Sequence, residues 1–433
     1  MSETAPAKTA PVSLWRHRDF MKLWTGETIS LLGSQITLLA LPLTAAVVLK
    51  ASSDQMGLLQ AAEFAPFLLI GLFAGVWVDR NRRKPILMLG DVGRALLLGT
   101  VPLAALANIL HMEQLYVVGF LVGILTVFFD VSYQSYLPSL VGRLELVEGN
   151  SKLEISRAIT QVAGPGFAGV MIQWFSAPLA ITLDALSFIV SAVFLGWIRT
   201  PEPEPVKAER PHIIAEVREG LGVVLHNRTL RSIAFCTGWA NLFGSLMQPV
   251  LILYMVNVLG LTPAWIGFTA MVASVGGLLG AMLANRAARR FGLGRTIVGS
   301  IALCTTALLL VPLAAGSLWI AVPLLIAAQF FSEIGSVIYN INQVSLRQTI
   351  TPHRLLGRMN ASMRFIVWGT MPIGALIGGG LGSVLGAALG TSTGLRATLA
   401  VGALGVLLAP LFVYFSPVRA LREQPAPIEE ATA

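Results

Sequence analysis

Gly75-Val-Trp-Val-Asp79-Arg80-Asn-Arg-Arg83-Lys84 is a tight cationic loop with one acid at its start, wedged between two long apolar runs. A diluted echo, Asn285-Arg286-Ala-Ala-Arg289-Arg290, follows 206 residues later, again between apolar runs. In a chain of 433 residues that offset is close to half the length, the spacing a duplication leaves behind.

Outward from these loops the chain is strongly apolar. It is 55% hydrophobic and 12% charged, with a mean hydropathy of +0.74. Soluble globular chains carry about 25% charged residues, so the composition predicts a polytopic membrane protein. Runs of about 18 or more apolar residues recur along the whole length, each sufficient to cross roughly 30 Å of hydrocarbon. The net charge of +8 has a simpler source than a nucleic-acid partner. With the N-terminus placed in the cytoplasm, every Lys and Arg except Arg94, Lys50 and Arg396 falls on the cytoplasmic side or at a span end facing it. That asymmetry predicts both termini inside a plasma membrane. Cys236 and Cys304 lie in or beside apolar runs and read as packing residues. The five histidines fall in loops or at span ends, so no metal site and no cofactor are expected.

Twelve spans are expected, at roughly 22–49, 55–78, 85–108, 114–137, 155–175, 177–198, 232–259, 264–285, 295–315, 318–341, 365–389 and 396–416. Unpaired backbone groups are too costly in lipid for anything but helices or a closed barrel, and spans this long exclude barrel strands. Short loops such as Ser176-Ala-Pro178 and Leu261-Thr-Pro263 force antiparallel neighbours. Residues 199–231 interrupt the pattern with an extended Pro201-Glu-Pro-Glu-Pro205 linker. An amphipathic stripe follows at 213, 214, 217, 221, 224 and 225, expected to lie on the cytoplasmic surface. The expected organisation is a cytoplasmic tail 1–21, a six-helix half 22–198, a cytoplasmic linker 199–231, a second six-helix half 232–416 and a cytoplasmic tail 417–433. At an offset of 207, Arg157 aligns with Arg364 and Pro165 with Pro372, in spans five and eleven.

Gly75, Asp79, Arg80, Arg83 and Lys84 at this spacing, with twelve spans in a 6+6 duplication, resemble the loop motif of the major facilitator superfamily. Asp130-Val-Ser-Tyr-Gln-Ser-Tyr-Leu-Pro in span four and Pro352-His-Arg-Leu-Leu-Gly-Arg358 before span eleven are similar to its enterobactin-exporter and macrolide-efflux-like branch. The fold class expected is an all-α polytopic membrane protein, with twelve transmembrane helices in two pseudo-symmetric halves. Asp79 ends a helix where it can pair with Arg80 or Arg83, or cap a neighbouring helix. Gly75, one turn earlier, would allow close backbone approach. The resemblance implies a conformational latch that joins the halves in the outward-facing state. A plain positive-inside loop is the competing reading. In the second-repeat loop Asn285 replaces the acid, so Arg286, Arg289 and Arg290 should form a weaker copy.

Span five carries Gly164-Pro165-Gly-Phe-Ala-Gly169, which should bend the helix and allow close packing. It is similar to the span-five signature of proton-coupled drug antiporters, although Arg157 and Thr160 stand where the longer glycine pattern would continue. Simple helix packing is the competing reading. Span eleven holds Gly374, Gly378, Gly382, Gly386 and Gly390, four apart, a small-residue ridge for helix sliding.

Ionisable residues inside spans are costly and point to function by default. Asp91 and Arg94 are i, i+3 neighbours expected to pair locally; Glu27, Arg157 and Arg364 read as structural. Glu333, Asp130, Glu63 and Asp184 are the proton-coupling candidates. A carboxyl in a low-dielectric site holds its proton more tightly, and a bound organic cation would expel it. Gln35, Tyr133, Gln134, Trp239, Asn241, Gln248, Tyr339, Asn340 and Trp368 are the substrate-cavity candidates.

The function expected is secondary active export of hydrophobic or amphipathic small molecules by proton antiport. The alternatives are a dedicated exporter of one natural product, such as a siderophore or macrolide, and a non-transporting membrane sensor or scaffold. No enzymatic role is expected. The partners are a small-molecule substrate, the proton and the lipid bilayer, with no nucleic acid, and the chain is expected to be a monomer.

Overall fold

In the computed structural model, residues 14–142, 145–202 and 213–423 are described, except for the side chains of residues 72, 76, 79, 213–218 and 353. The chain folds into two six-helix halves. The first comprises α1 (Arg18–Leu43), α2 (Ser53–Leu69) with α3 (Gly71–Asp79), α4 (Arg83–Leu106), α5 (Met112–Leu140), α6 (Leu146–Phe175) and α7 (Ala177–Trp197). Helix α8 (Ile213–His226) precedes the second half. That half comprises α9 (Arg228–Leu253), α10 (Pro263–Phe291), α11 (Leu293–Ala307), α12 (Leu318–Thr349), α13 (Leu356–Leu389) and α14 (Thr391–Val406) with α15 (Ala409–Tyr414).

Among the described residues, ten helices are long and apolar enough to cross a membrane. The remaining two crossings are informative. The second breaks at Ile70 into α2 and α3, although the Ile70 N–H still donates to the Pro66 carbonyl at 2.9 Å. The fifth, α6, is continuous over 30 residues but its first half is polar. Both line the central cavity described below.

The duplication is visible in the backbone. Helices α1 and α9 each run on into a π-helical turn, Thr44–Val48 and Tyr254–Val258. Each turn closes on a bond spanning five residues, Leu49 N to Thr44 O at 3.1 Å and Leu259 N to Tyr254 O at 3.0 Å. Each is followed by a left-handed residue, Lys50 at φ 53° and Gly260 at φ 64°.

The core is continuous at one end of the bundle and divided at the other. At the end bearing Lys50 and Ser383, one cluster runs through both halves, from Ile36, Leu41 and Leu59 to Val250, Leu253 and Ala403. At the opposite, basic end, each half has its own cluster. Phe20, Leu87, Tyr136 and Leu195 form one, and Ile233, Ile297, Met359 and Val413 form the other. Two glycine pairs account for the closed end. Cβ atoms placed on Gly57 of α2 or Gly379 of α13 would come within 2.9 Å of the other's Cα. Gly169 of α6 and Gly267 of α10 meet in the same way, at 3.0 and 2.8 Å. Polar bonds reinforce both contacts: Ser383 Oγ donates to Asp54 Oδ1 at 2.6 Å, and Ala264 N donates to Gln173 Oε1 at 3.2 Å. The halves therefore meet at the far end and part at the basic end.

Several expectations need correction. The segment Asn285–Arg290 is not a loop: α10 continues through it to Phe291 and turns at Gly292, φ 85°. Nothing in Asn285-Arg-Ala-Ala-Arg-Arg breaks a helix, and basic side chains suit a helix C-terminus. Gly75 makes no close approach here, since a Cβ on it would meet nothing within 4 Å. The glycine ridge of α13 also divides. Gly374 and Gly378 press on the Leu242 and Leu246 carbonyls of α9, Gly382 faces Ser53 of α2, and Gly390 lies past the helix end at φ 84°. Helix α8 docks against the second half, with Val224 fully buried beside α9 and α13 and Glu219 paired to Arg358, while Leu225 of the predicted stripe is exposed.

Candidate functional site: a cavity between the halves

Two spaces lie between the halves. A vestibule of about 590 Å³ opens at the basic end. Asp130, Val131 and Gln134 of α5 and Phe67 of α2 line one side; Arg347 of α12 and Asn360, Arg364 and Trp368 of α13 line the other. A deeper cavity of about 530 Å³ reaches toward the closed end. Gln35, Gln60, Glu63 and Pro165 line it from the first half, and Asn241, Gln248, Gln329 and Glu333 from the second. The two spaces adjoin at an aromatic pair, one ring from each half: Phe67 and Trp368 stand edge to face with centroids 5.3 Å apart. Phe64 and Met371, about one turn farther along the same helices, already line the deeper space.

Local structure explains the polar groups in these walls. Cβ atoms placed on Gly119 and Gly123 of α5 would lie 3.1 Å from Glu63 Cγ and 2.8 Å from the Glu63 carbonyl oxygen. The small residues leave room for the acid between α2 and α5. Gly164 likewise admits the Gln35 stem, which a Cβ would meet at 2.5 Å. Pro165 leaves α6 unbroken, but the helix can now be approached closely: a Cβ on Gly267 would sit 2.3 Å from the Pro165 carbonyl oxygen.

Of the four acids singled out in the sequence, Glu63 and Glu333 line the deep cavity from opposite halves, and Asp130 lines the vestibule with Arg347 and Arg364. Asp184 faces neither. It is 1% exposed between α7 and α1, accepting from Thr37 Oγ1 and from Ser187 Oγ at 3.1 Å. Among the cavity candidates, Gln35, Asn241 and Gln248 line the deep space and Gln134 and Trp368 the vestibule. Tyr133, Trp239, Tyr339 and Asn340 line neither. Trp239 Nε1 donates to Gly405 O at 2.8 Å, and Tyr339 is buried and bonded to Thr237 Oγ1 at 2.8 Å. Tyr133 instead lines a separate pocket with Glu154 and Arg157. Asn340 accepts from Gln343 Nε2 within α12. A span that is apolar on most of its circumference does not reveal which polar residue points inward.

The cationic loop at Arg80–Lys84 is bound to its own half. Glu202, in the linker, accepts from the backbone N–H of Arg83 at 2.7 Å and of Lys84 at 3.1 Å, and its Oε1 is 3.5 Å from Arg83 Nη1. A carboxylate thus caps the first turn of α4. Lys84 Nζ donates to the Ile198 carbonyl at 2.7 Å, and Asp19 of α1 holds the Arg199 and Thr200 amides at 3.0 and 2.9 Å. The expectation offered Asp79 for such a cap; its side chain lies outside those described, and the carboxylate at α4 is that of Glu202. Sequence reading missed Glu202 because nothing in a Pro-rich linker marks its spatial neighbour. Arg347 and Asn360 were missed because α12 and α13 extend beyond their apolar runs, to Thr349 and back to Leu356.

The expected Asp91–Arg94 pair forms, with Arg94 Nη2 to Asp91 Oδ1 at 2.6 Å, both buried. The guanidinium lies between the Phe129 and Phe188 rings, 4.2 and 4.1 Å from their centroids. This ion pair sits inside the first half and away from the cavity, so its part is to hold α4, α5 and α7 together.

The sequence model of the Major Facilitator Superfamily matches residues 23–375. The multidrug efflux pump Tap of Mycolicibacterium fortuitum is 27% identical over 407 residues, covering 89% of this chain and 92% of its own. Macrolide efflux protein A of Streptococcus pyogenes is 23% identical over 273 residues, covering 61% of this chain and 65% of its own. The crystal structure of a bacterial homologue of the human lysosomal transporter Spinster, inward-facing and unoccupied, superposes with a TM-score of 0.70 at 15% identity, over 92% of this chain and 96% of that one.

Proposed function

Since this chain belongs to the major facilitator superfamily, we propose that it is a secondary active exporter of hydrophobic or amphipathic small molecules, exchanging them for protons by alternating access in the plasma membrane. The observation that carries this reading is the deep cavity between the halves, walled by apolar and amide side chains with one carboxylate from each half. It is shut at one end by the Gly57–Gly379 and Gly169–Gly267 contacts and adjoins an open vestibule at the other. The relatives that are drug or macrolide efflux proteins support the direction of transport. The basic end is cytoplasmic in this reading, on the strength of the charge asymmetry, so the conformation described loads from the cytoplasm.

Rocking the halves would break the two glycine contacts and close the vestibule. Glu63 and Glu333 release protons when a substrate enters and recover them after it leaves. Asp130 faces Arg347 and Arg364 across the vestibule, positioned to pair as the basic end closes. The Gly75–Lys84 segment serves as the latch of that closed state, with Asp79 as its acid; the open space around Gly75 is where a neighbouring helix would arrive. Efflux of a panel of dyes from everted vesicles, with and without a pH gradient, tests the reading. Flux indifferent to the gradient would remove proton antiport, and undiminished coupling in Glu333→Gln would remove Glu333 as a proton carrier.

A further inference from the structure

The vestibule holds more positive charge than its own wall offsets. Arg347 and Arg364 enter it from consecutive helices of the second half, and the single acid among its described lining residues, Asp130, stands on the other half. None of these three side chains belongs to an ion pair among the described residues. Arg347 also keeps its Nε buried without a hydrogen-bond partner. Resting on the alternating-access reading, we propose that a phosphate-type oxyanion sits between Arg347 and Arg364 while the basic end is open. Asp130 takes its place when that end closes.

The chemistry of the wall selects the ligand. Each guanidinium is a planar fork of N–H donors, which suits an oxyanion with several acceptor oxygens better than a halide with one centre. Asn360, one turn before Arg364, adds a neutral donor. The Arg364 guanidinium lies 5.6 Å from the centroid of the Trp368 ring, one turn further along α13, and Trp368 meets Phe67 at the inner edge of the vestibule. The charge is therefore held where the two spaces adjoin. In a partly dehydrated space the two like charges repel more strongly than in bulk water, and a bound oxyanion offsets both. Closure brings the fixed carboxylate of Asp130 to the same groups, so the mobile anion leaves as the ion pair forms. An anion that binds only the open form stabilises that form by mass action. Free cytoplasmic phosphate and the headgroup phosphate of an inner-leaflet lipid offer the same acceptor oxygens.

Phenylglyoxal labelling of the full chain in phosphatidylcholine nanodiscs, with mass spectrometry of the peptides, reads each arginine separately. In about 50 mM inorganic phosphate, labelling of Arg347 and Arg364 should slow at least about threefold relative to chloride at equal ionic strength, the protection that a Kd of about 25 mM gives. Arg286 and Arg290, exposed at the same end but outside the vestibule, should react at the same rate in both salts. Protection by free phosphate assigns the soluble ion; protection that appears only in phosphatidylglycerol nanodiscs assigns the lipid headgroup. Asp130→Asn should lower the phosphate concentration for half-protection, because no fixed carboxylate competes. Should that variant not fold, Gly379→Ala serves instead: its methyl would press on the α2 backbone and disfavour the conformation open at the basic end, so it should raise that concentration. No protection in either lipid, equal protection at Arg286 and Arg290, or variants that shift the concentration in neither expected direction would overturn the proposal. Dye flux with unprotected arginines would leave the exporter reading intact, and protected arginines in a chain that moves no dye would do the reverse.

Discussion

Substituting Gly379 by alanine should shift the chain away from the conformation described here. The added methyl would lie 2.7 Å from the Ser53 carbonyl oxygen, 2.9 Å from Gly57 Cα and 3.1 Å from Asp54 Cα. All three are backbone atoms of α2, so no side chain can rotate away. Restoring ordinary contact near 3.4 Å needs a displacement of about 0.7 Å between α13 and α2, across the interface that holds the far end closed. Overpacking of this kind costs about 1–3 kcal/mol, which moves a two-state equilibrium by roughly five- to 150-fold. The cost falls only on the conformation in which the two helices touch. With Cys236 and Cys304 replaced by serine, a cysteine at Asn360 in the vestibule reports the opening to an impermeant maleimide. Its labelling should slow in Gly379→Ala, by at most the factor by which the equilibrium shifts. Gly380→Ala is the control: it gives the same gain in helix propensity, but its Cβ meets nothing within 4 Å. Unchanged labelling in Gly379→Ala, or equal slowing in both variants, would refute the reasoning.

Three further outcomes follow from the contacts above. Asp91→Ala leaves Arg94 charged and unpaired between two aromatic rings, and should cost about 3–5 kcal/mol, read as a lowered midpoint of thermal unfolding in detergent. Glu202→Ala removes the cap from α4, worth about 0.5–2 kcal/mol, so hydrogen exchange at the Arg83 and Lys84 amides should quicken while α5 amides are unaffected. Trp239→Phe loses the bond to Gly405 O, about 1 kcal/mol of stability, without altering the range of dyes exported, whereas Trp368→Ala, at the junction of the two spaces, should alter that range.

Much of the architecture is legible in the sequence. Lipid leaves the backbone no choice but helices, so each apolar run translates directly into a crossing. The Asp91–Arg94 pair was readable because three residues along a helix bring side chains to one face. Boundaries failed where helices outlast their apolar run, as at Asn285–Arg290 and at the start of α13. There the chain has already left the hydrocarbon, and hydropathy no longer marks the helix. Among the proposed acids, Asp184 was indistinguishable from Glu63 by span depth; its two hydroxyl partners decide its place, and one of them, Thr37, lies 147 residues away.

The sequence by itself determined that this chain crosses a membrane many times, that it is a duplication, and which loops carry the basic charge. Those properties follow from local composition and from repeats along the chain. The tertiary structure decided which end of the bundle is shut, which half holds each cavity wall, and where the carboxylate capping α4 comes from. Each of these depends on helix rotation and on contacts between segments far apart in sequence. A helix apolar around most of its surface carries no periodic signal of which face meets its neighbour, so only the packing of Gly57 on Gly379 and of Gly169 on Gly267 resolves the state of the molecule.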